Sequence, residues 1–458
     1  MTLVKAAESK KVNLDFNKEF INTFSKKIQS SDLTFINETL KDLHQSDVAN
    51  LIENLSSEIR TKLVEIEEFN LDPDIFIELN ESIQSEVLQL LSTDSIIKII
   101  KRLESDDAIK ILENLEKSKK ISILEKLPPK DKFLLEEGLS FPEDSAARIM
   151  QREFTAVPSN WSVGKTIDYL RENKDLPKEF LEIFIVNNDF KPVGTVPSSR
   201  VLRTSRESKM NSIMVEMPVL IPVNMDKEEV GQTFENYNLI SAGVVKDNKL
   251  VGMITADDIV TVVQDEAEED ALRLAGVGDE EITDSVIVKT KRRFNWLLLN
   301  LFTALLATWV ISNFGASIEQ MVALAFLMPI VASMGGNAGM QTLAVTIRAI
   351  AKKELSTSNF NRVVGKEFII GVLNGIIFAI ITAIIVQLWF KQINLSLLIG
   401  VSMTLNMIVA GLFGILVPVS LKKINIDPAL ASSVFVTTIT DVIGFLSFLG
   451  LGSYYFLN

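Results

Sequence analysis

Asp441 sits in an apolar run, VTTITDVIGF, directly after Thr437, Thr438 and Thr440. A carboxylate at membrane depth is expensive, so it is kept either for a partner or for work. Residues 294–318, 320–347, 368–390 and 392–421 contain no Asp, Glu, Lys or Arg, which leaves Asp441 without an obvious counter-ion inside a membrane. An isolated acid flanked by hydroxyls suits a cation. One carboxylate with retained water is the style of Mg2+, which dehydrates reluctantly and prefers octahedral oxygen ligands. Residue types alone do not separate Mg2+ from Mn2+ or Co2+.

A second group of residues lies in ALAFLMPIVASMGGNAGMQT. Pro329 removes a helical hydrogen bond and clashes with the preceding turn. Gly335, Gly336, Asn337, Gly339 and Gln341 follow. Two readings stand. A broken helix would line a wet pathway with freed carbonyls and amides. Alternatively, small residues let helices pack closely. The lone acid at Asp441 sharpens the choice, and Pro329, Gly335, Gly336, Asn337, Gly339 and the three threonines are the candidates to line or brace a pathway if there is one.

In the soluble part, IFIVNNDFKPVGTVPSSRVL from Ile183 and SAGVVKDNKLVGMITADDIVTVV from Ser241 repeat at a 58-residue offset. Each reads as strand, polar turn, strand and helix start, and each follows a helical segment. The repeat resembles a pair of CBS modules, which implies a regulatory unit for adenine nucleotides or ions. Their nucleotide pattern of Gly, then Thr or Ser, then Asp at three-residue steps falls on Gly252, Thr255 and Asp258. Thr255 would bond a phosphate and Asp258 a ribose hydroxyl. The first repeat has Gly194, Pro197 and Arg200 instead, so the pair implies at most one nucleotide site. A purely structural pair is the alternative.

After the repeat comes QDEAEEDALRLAGVGDEEITDS, with Asp265, Glu266, Glu268, Glu269, Asp270, Asp279, Glu280, Glu281 and Asp284. Such a run is usually a solvated face. Here it leads into the membrane, and divalent cations would relieve its self-repulsion. An ion-filled cluster could hold a connecting helix in one position, and an empty one could release it.

The elements that position these residues follow from charge and period. The chain has 458 residues, 47% of them hydrophobic, with a formal net charge of −13. Residues 1–293 carry 38 Lys+Arg against 54 Asp+Glu, a balance of −16, and residues 294–458 carry 8 against 5, a balance of +3. An acidic soluble part is thus joined to an apolar part, which holds five segments long enough to span a membrane: the four uncharged runs and about 428–457. Loop charges set the orientation. Lys289, Lys291, Arg292, Arg293, then Arg348, Lys352, Lys353, Arg362, Lys366, then Lys422 and Lys423 all fall on one side, against Lys391 on the other. The positive-inside rule puts the soluble part in the cytoplasm and the C-terminus outside.

Residues 20–140 are helical in pattern. SDVANLIENL from Ser46 and DDAIKILENL from Asp106 match at a 60-residue offset, each with a capping residue at its head. This predicts a small superhelix of short helix pairs. His44 is the sole histidine and reads as a surface or capping residue. With no cysteine and one histidine, thiolate sites, His-based triads and His-rich metal sites are excluded. Acidity disfavours nucleic acid as a partner. The opening residues, MTLVKAAESKKVNLDF, lack the apolar core of a signal peptide.

The order of these parts resembles the MgtE-type magnesium transporters over about residues 30–458. The matching phrases are MPIVASMGGNAGMQT (Met328–Thr342), DPALASSVFVTTITDVIGF (Asp427–Phe445), FPEDSAARIM from Phe141 and EEDALRLAGV from Glu268. The resemblance implies a multidomain membrane protein. It would have a helical N domain over 1–140, an α/β CBS pair over 141–264, an acidic connecting (plug) helix over 265–293 and a five-helix pore domain over 294–458. It implies a homodimer in the cell membrane, with a pore on the two-fold axis, no obligatory further protein partner and no enzymatic activity. Mg2+ would be both cargo and regulator, and ATP is a further candidate ligand.

The family's pore carboxylate falls on Asp441. Its sensor carboxylates fall on Asp258, Glu266, Glu269 and Asp270, with Asp106 and Asp107 as the helical domain's contribution. A further acidic sensor position falls on Thr261, so that ligand is missing. The alternatives are transport of Co2+ or Mn2+, or a membrane-anchored CBS sensor that acts on a partner. An intramembrane aspartyl protease would need two carboxylates, and one chain supplies one.

Overall fold

The computed structural model describes residues 16–67, 71–177, 179–216, 219–277 and 286–457. Asp279, Glu280, Glu281 and Asp284 of the acidic run therefore lie outside the described residues. The chain forms two compact units that divide between Gln264 and Asp265.

The first unit begins with ten short helices. These are α1 (Lys18–Gln29), α2 (Leu33–Lys41), α3 (Gln45–Glu53), α4 (Ser57–Glu67), α5 (Asp74–Ile77), α6 (Glu81–Leu90), α7 (Thr93–Ile100), α8 (Ser105–Glu113), α9 (Lys117–Lys126) and α10 (Pro129–Ser140). Side-chain caps start several of them. Asn17 accepts from the Phe20 N–H at 2.8 Å, Ser92 from Ser95 at 3.1 Å, and His44 Nδ1 from Ser46 at 3.3 Å. His44 is thus a cap.

The 60-residue repeat is α3 and α8. Val48, Ala49, Leu51 and Ile52 are buried in the first copy, and Ala108, Ile109, Ile111 and Leu112 take the same four positions in the second. The copies differ at the helix start. His44-Gln45-Ser46-Asp47 becomes Glu104-Ser105-Asp106-Asp107. The apolar face is preserved while the head of α8 gains two acids.

The CBS pair follows. Its first half has β1 (Ala156–Pro158), α11 (Val163–Glu172), β2 (Glu182–Val186), β3 (Pro192–Pro197), α12 (Ser198–Arg203), α13 (Met210–Ile213) and β4 (Val215–Glu216). Its second half has β5 (Ile221–Pro222), α14 (Lys227–Tyr237), β6 (Ser241–Lys246), β7 (Lys249–Thr255) and α15 (Ala256–Leu274). The sheets run β1-β2-β3-β4 and β5-β6-β7. Each half pairs a short parallel strand with an antiparallel hairpin, and each hairpin shifts register at one place, Ile185/Val186 and Val244/Val245. Asp247 and Asn248 both adopt positive φ, the two-residue turn that a right-twisted hairpin needs.

The second unit holds α16 (Val286–Ser312), the short α17 (Gly315–Gln320), α18 (Ala323–Ala351), α19 (Phe360–Phe390), α20 (Ile393–Lys423) and α21 (Pro428–Leu457). Five of these are long and apolar enough to cross a membrane. The first span expected at 294–318 instead ends at Ser312, and α17 follows as a separate short helix.

The α19–α20 hairpin is built on Gly371 and Gly375, a Gly-x-x-x-Gly pair. A Cβ on Gly371 would lie 2.9 Å from the Met407 carbonyl oxygen and 3.0 Å from Ile408 Cα, and backbone cannot yield as a side chain does. Gly371→Ala is expected to cost about 1–3 kcal/mol as overpacking. A detergent unfolding titration should shift to lower denaturant, and an unchanged midpoint would mean this contact is loose.

Candidate cation pathway and acidic clusters

Helix α18 carries the Pro-Gly-Gly motif without breaking. Pro329 lies inside a continuous helix of 29 residues, so the expected break is absent. Tertiary packing supplies the reason. Gly335 is buried beside Asn406 of α20, where a Cβ would collide with the amide. A Cβ on Gly339 would lie 2.6 Å from Val436 Cγ1 of α21 and 3.7 Å from Thr440 Cγ2. Close approach of three helices holds the motif helical, and the small residues act first as packing positions.

The other face of α18 is different. Gly336 meets nothing within 4 Å of its Cβ position, and Asn337 is exposed. Ser333 and Gln341, four residues to either side, are exposed as well. Residues at this spacing share a helix face. A stripe of small and amide residues is therefore uncovered by this chain's own helices.

Asp441 lies 13 residues beyond the start of α21 and is half-buried. Its carboxylate accepts no hydrogen bond from the described residues. The three threonines donate to their own helix. Thr437 bonds the Ser433 carbonyl at 2.9 Å, Thr438 bonds Val434 at 2.6 Å, and Thr440 bonds Val436 at 3.0 Å. Their oxygens keep lone pairs, but Thr440 is fully buried against Gly339 and so braces α18 against α21.

A carboxylate cluster lies at the other end of α21. Asp427 caps this helix, accepting from the Ala429 N–H at 2.8 Å. Arg273 pairs with both Asp427 and Glu269. Leu274 packs on Leu343, Ile347, Ala429 and Val436, which seats the end of the acidic segment against α18 and α21. Burial pushes the Asp270 carboxyl up, and Asp427 and Glu266 add to the shift. Glu266, Glu269 and Asp270 thus share one site with Asp427, a residue the sequence reading did not single out. Its signal was the Asp-Pro pair at the head of an apolar run.

The first unit holds a second acidic cluster. Asp106 and Asp107, at the head of α8, face Asp258 at the start of α15. Glu104 joins them, and its signal was the acid that replaces His44 in the repeat. Asp106 is 8% exposed, and its Oδ1 is buried without a hydrogen-bond partner. Burial, then Asp258, Asp107 and Glu104, push its carboxyl well above the usual range. Burial and neighbouring acids push Glu104 up to about 7, and burial with Asp258 pushes Asp107 up to about 6. Asp258 is raised by burial, opposed by the bond from Thr255.

This cluster is held by a clamp between the helical part and the CBS pair. Glu137 bonds Arg152 at 2.9 Å and Lys246 at 2.8 Å, and Glu153 accepts from the Ser105 hydroxyl at 2.8 Å. Among the described residues no three acidic or His side chains converge closely enough to hold a bare metal ion. The cluster is wider than that and suits an ion that keeps its water.

The same place receives the nucleotide motif. Thr255 Oγ1 donates to Asp258 Oδ2 at 2.6 Å, and Gln151 Nε2 donates to the same oxygen at 3.4 Å. A Cβ on Gly252 would lie 2.8 Å from the Gln151 carbonyl oxygen, so close backbone approach accounts for that glycine. Thr261 is exposed, and Arg200 of the first repeat bonds the Ile213 carbonyl at 2.8 Å.

Comparison with known proteins covers both units. Residues 43–144 match the MgtE intracellular N domain, 146–207 and 210–265 match the CBS domain, and 328–451 match the MgtE family described as divalent cation transporter. The magnesium transporter MgtE of Bacillus subtilis (strain 168) is 31% identical over 317 residues, spanning 69% of this chain and 70% of that protein. The magnesium transporter MgtE of Enterococcus faecalis (strain ATCC 700802 / V583) is 30% identical over 320 residues, spanning 70% and 71%. Among solved structures, the cytosolic domain of the Mg2+ channel MgtE in complex with ATP is 22% identical, with a TM-score of 0.49, covering 53% of this chain and 99% of that one.

Proposed function

Because the chain belongs to the MgtE family of divalent cation transporters, we propose that it moves Mg2+ across the cell membrane along a pathway governed by Asp441, and that cytoplasmic Mg2+ shuts this pathway. The protein is a multi-pass membrane transporter and not an enzyme. The observation that carries the reading is Asp441 itself, a half-buried carboxylate inside a span with no protein hydrogen bond among the described residues. Such a group in a bilayer calls for a cation or water.

The uncovered stripe of Ser333, Gly336, Asn337 and Gln341 supports a wet path beside it, since amides facing lipid are costly. A second copy of the chain would cover that stripe, which favours a homodimer with the path between subunits. The loop charges favour a cytoplasmic soluble part and an external C-terminus.

The two carboxylate clusters are the proposed sensor. Without cations, like charges repel one another, and Mg2+ would neutralise them while keeping much of its water. In the second unit, a filled cluster of Glu266, Glu269, Asp270 and Asp427 would hold Leu274 on α18 and α21 and keep the path shut. Asp258 is already engaged by Thr255, Gln151 and the acids of α8, so a cation suits it better than a ribose hydroxyl. ATP would then act elsewhere in the pair or only when that cluster is open.

Purified full-length protein in liposomes loaded with a Mg2+-sensitive dye tests the reading. The dye should report Mg2+ entry. Binding of Mg2+ to the soluble part without any entry would instead favour a membrane-anchored sensor.

The first cluster also gives a pH prediction. Its carboxyls titrate higher in the fold than free, Glu104 at about 7 and Asp107 at about 6. Raised acids hold protons in the native state, so their burial is tolerated at low pH and opposed as pH rises through those values. Mg2+ must displace those protons. Addition of Mg2+ in weak buffer should release more protons near pH ~6 than near pH ~8.5, because Glu104 and Asp107 are ionised by then. The double variant Asp106→Asn/Asp107→Asn should lose most of the release. Release that is the same at both pH values would contradict a buried, protonated cluster.

A further inference from the structure

Asn406 is the only fully buried amide side chain in the membrane unit among the described residues. Its Nδ2 donates to the Val331 carbonyl of α18 at 2.8 Å. That carbonyl lies between Pro329 and Gly335 in the motif stretch of α18. Gly335 faces the amide from α18, and Gly444 faces it from α21, where a Cβ would lie 2.8 Å from Nδ2 and 3.2 Å from Cγ. One side chain on α20 therefore bonds the motif helix and sets its spacing from the helix that carries Asp441. Gly444 is three residues after Asp441 on the same side of α21.

The other half of the amide is the telling part. Asn406 Oδ1 is buried with no hydrogen-bond partner, and so is Ser402 Oγ one turn earlier on α20. A leucine would fill this space with no orphaned acceptor. Bare acceptors at such depth are costly, so packing alone does not account for the amide.

We propose that Asn406 is a positioning residue for ion selection, which fixes the separation of α18 and α21 beside Asp441 and so the width open to a hydrated cation. The proposal rests on the reading of Asp441 as the pathway's carboxylate. A site that takes Mg2+ with its water selects by the size of the hydrated ion, so helix spacing becomes a selectivity setting. Asn406 itself has no contact with the cargo in this scheme.

The test uses full-length protein in liposomes, with Mg2+ and Mn2+ fluxes measured separately. Asn406→Leu keeps the volume and removes the bond to Val331. It should lower the Mg2+ over Mn2+ preference about fivefold to tenfold, the order expected of one lost hydrogen bond. Gly444→Ala should collide with Asn406 and disturb the same ratio. The double variant Asn406→Ala/Gly444→Ala relieves the collision but cannot restore the bond, so its ratio should stay altered. Full recovery of the wild-type ratio in the double variant would reduce Asn406 to packing and overturn the proposal, as would an unchanged ratio in Asn406→Leu. Asp441→Asn measured in parallel separates the two failures. Loss of flux there with wild-type ratios in the Asn406 variants sinks only this proposal. Retained flux in Asp441→Asn sinks the pathway reading beneath it.

Discussion

Asp441→Asn is expected to abolish Mg2+ uptake. The substitution keeps shape and hydrogen-bonding capacity and removes one charge. A carboxylate and a cation about 4 Å apart, at an effective dielectric of about 20, attract by about 4 kcal/mol per unit charge. Losing even half of that is a loss of about thirtyfold, and a divalent ion doubles the stake. Among the described residues no side chain donates a hydrogen bond to the Asp441 carboxylate, and Thr437, Thr438 and Thr440 donate their hydroxyl protons to their own helix. Growth of a magnesium-auxotrophic strain at low external Mg2+ measures the result. Asp441→Glu should keep partial function, since the charge is retained and only its reach changes. Full rescue by Asp441→Asn would remove Asp441 from the pathway.

The second large effect concerns closure. Glu266→Gln, Glu269→Gln and Asp270→Asn together should leave Mg2+ currents that persist at millimolar cytoplasmic Mg2+. The segment's seat on the membrane helices has two components. Leu274 supplies apolar contact with Leu343, Ile347, Ala429 and Val436, and Arg273 supplies ion pairs with Glu269 and Asp427. Neither component responds to Mg2+ by itself. In the proposed gate the ion-dependent part is Asp270, which Asp427 and Glu266 face with like charge. Neutralising the three acids removes the ligands through which bound Mg2+ would hold the segment on its seat, and with them the differential affinity that shifts the two states. Unchanged inhibition in the triple variant would return the acidic run to the role of a solvated face.

Much of the fold was legible because it repeats or alternates. The α3 and α8 copies bury the same four positions, and the two CBS hairpins pair Gly194 with Ile185 and Gly252 with Val244 at matching registers. Uncharged runs marked the membrane helices because water is absent there. The expected break in α18 failed for a clear reason. Pro329 and Gly335 weaken a helix locally, but Asn406, Val436 and Thr440 pack against it from two other helices, and sequence spacing does not show that support.

The site was legible in part. Asp441 stood out because an acid in an apolar run is rare. Asp258 is far in sequence from the adjacent Asp106 and Asp107, and only the resemblance put them forward together. Glu104 and Asp427 were passed over because an acid at a helix start looks like a cap, and Asp427 is one. Asn406 gave no signal, since a single amide in an apolar run has no spacing to read.

The most direct test records currents from the purified protein in liposome patches while Mg2+ on the side of the soluble part is raised. Mg2+ current carried at low cytoplasmic Mg2+, falling away at millimolar levels and absent in Asp441→Asn, is the predicted result. Mg2+ current that ignores cytoplasmic Mg2+ and survives Asp441→Asn would contradict both the pathway and the gate.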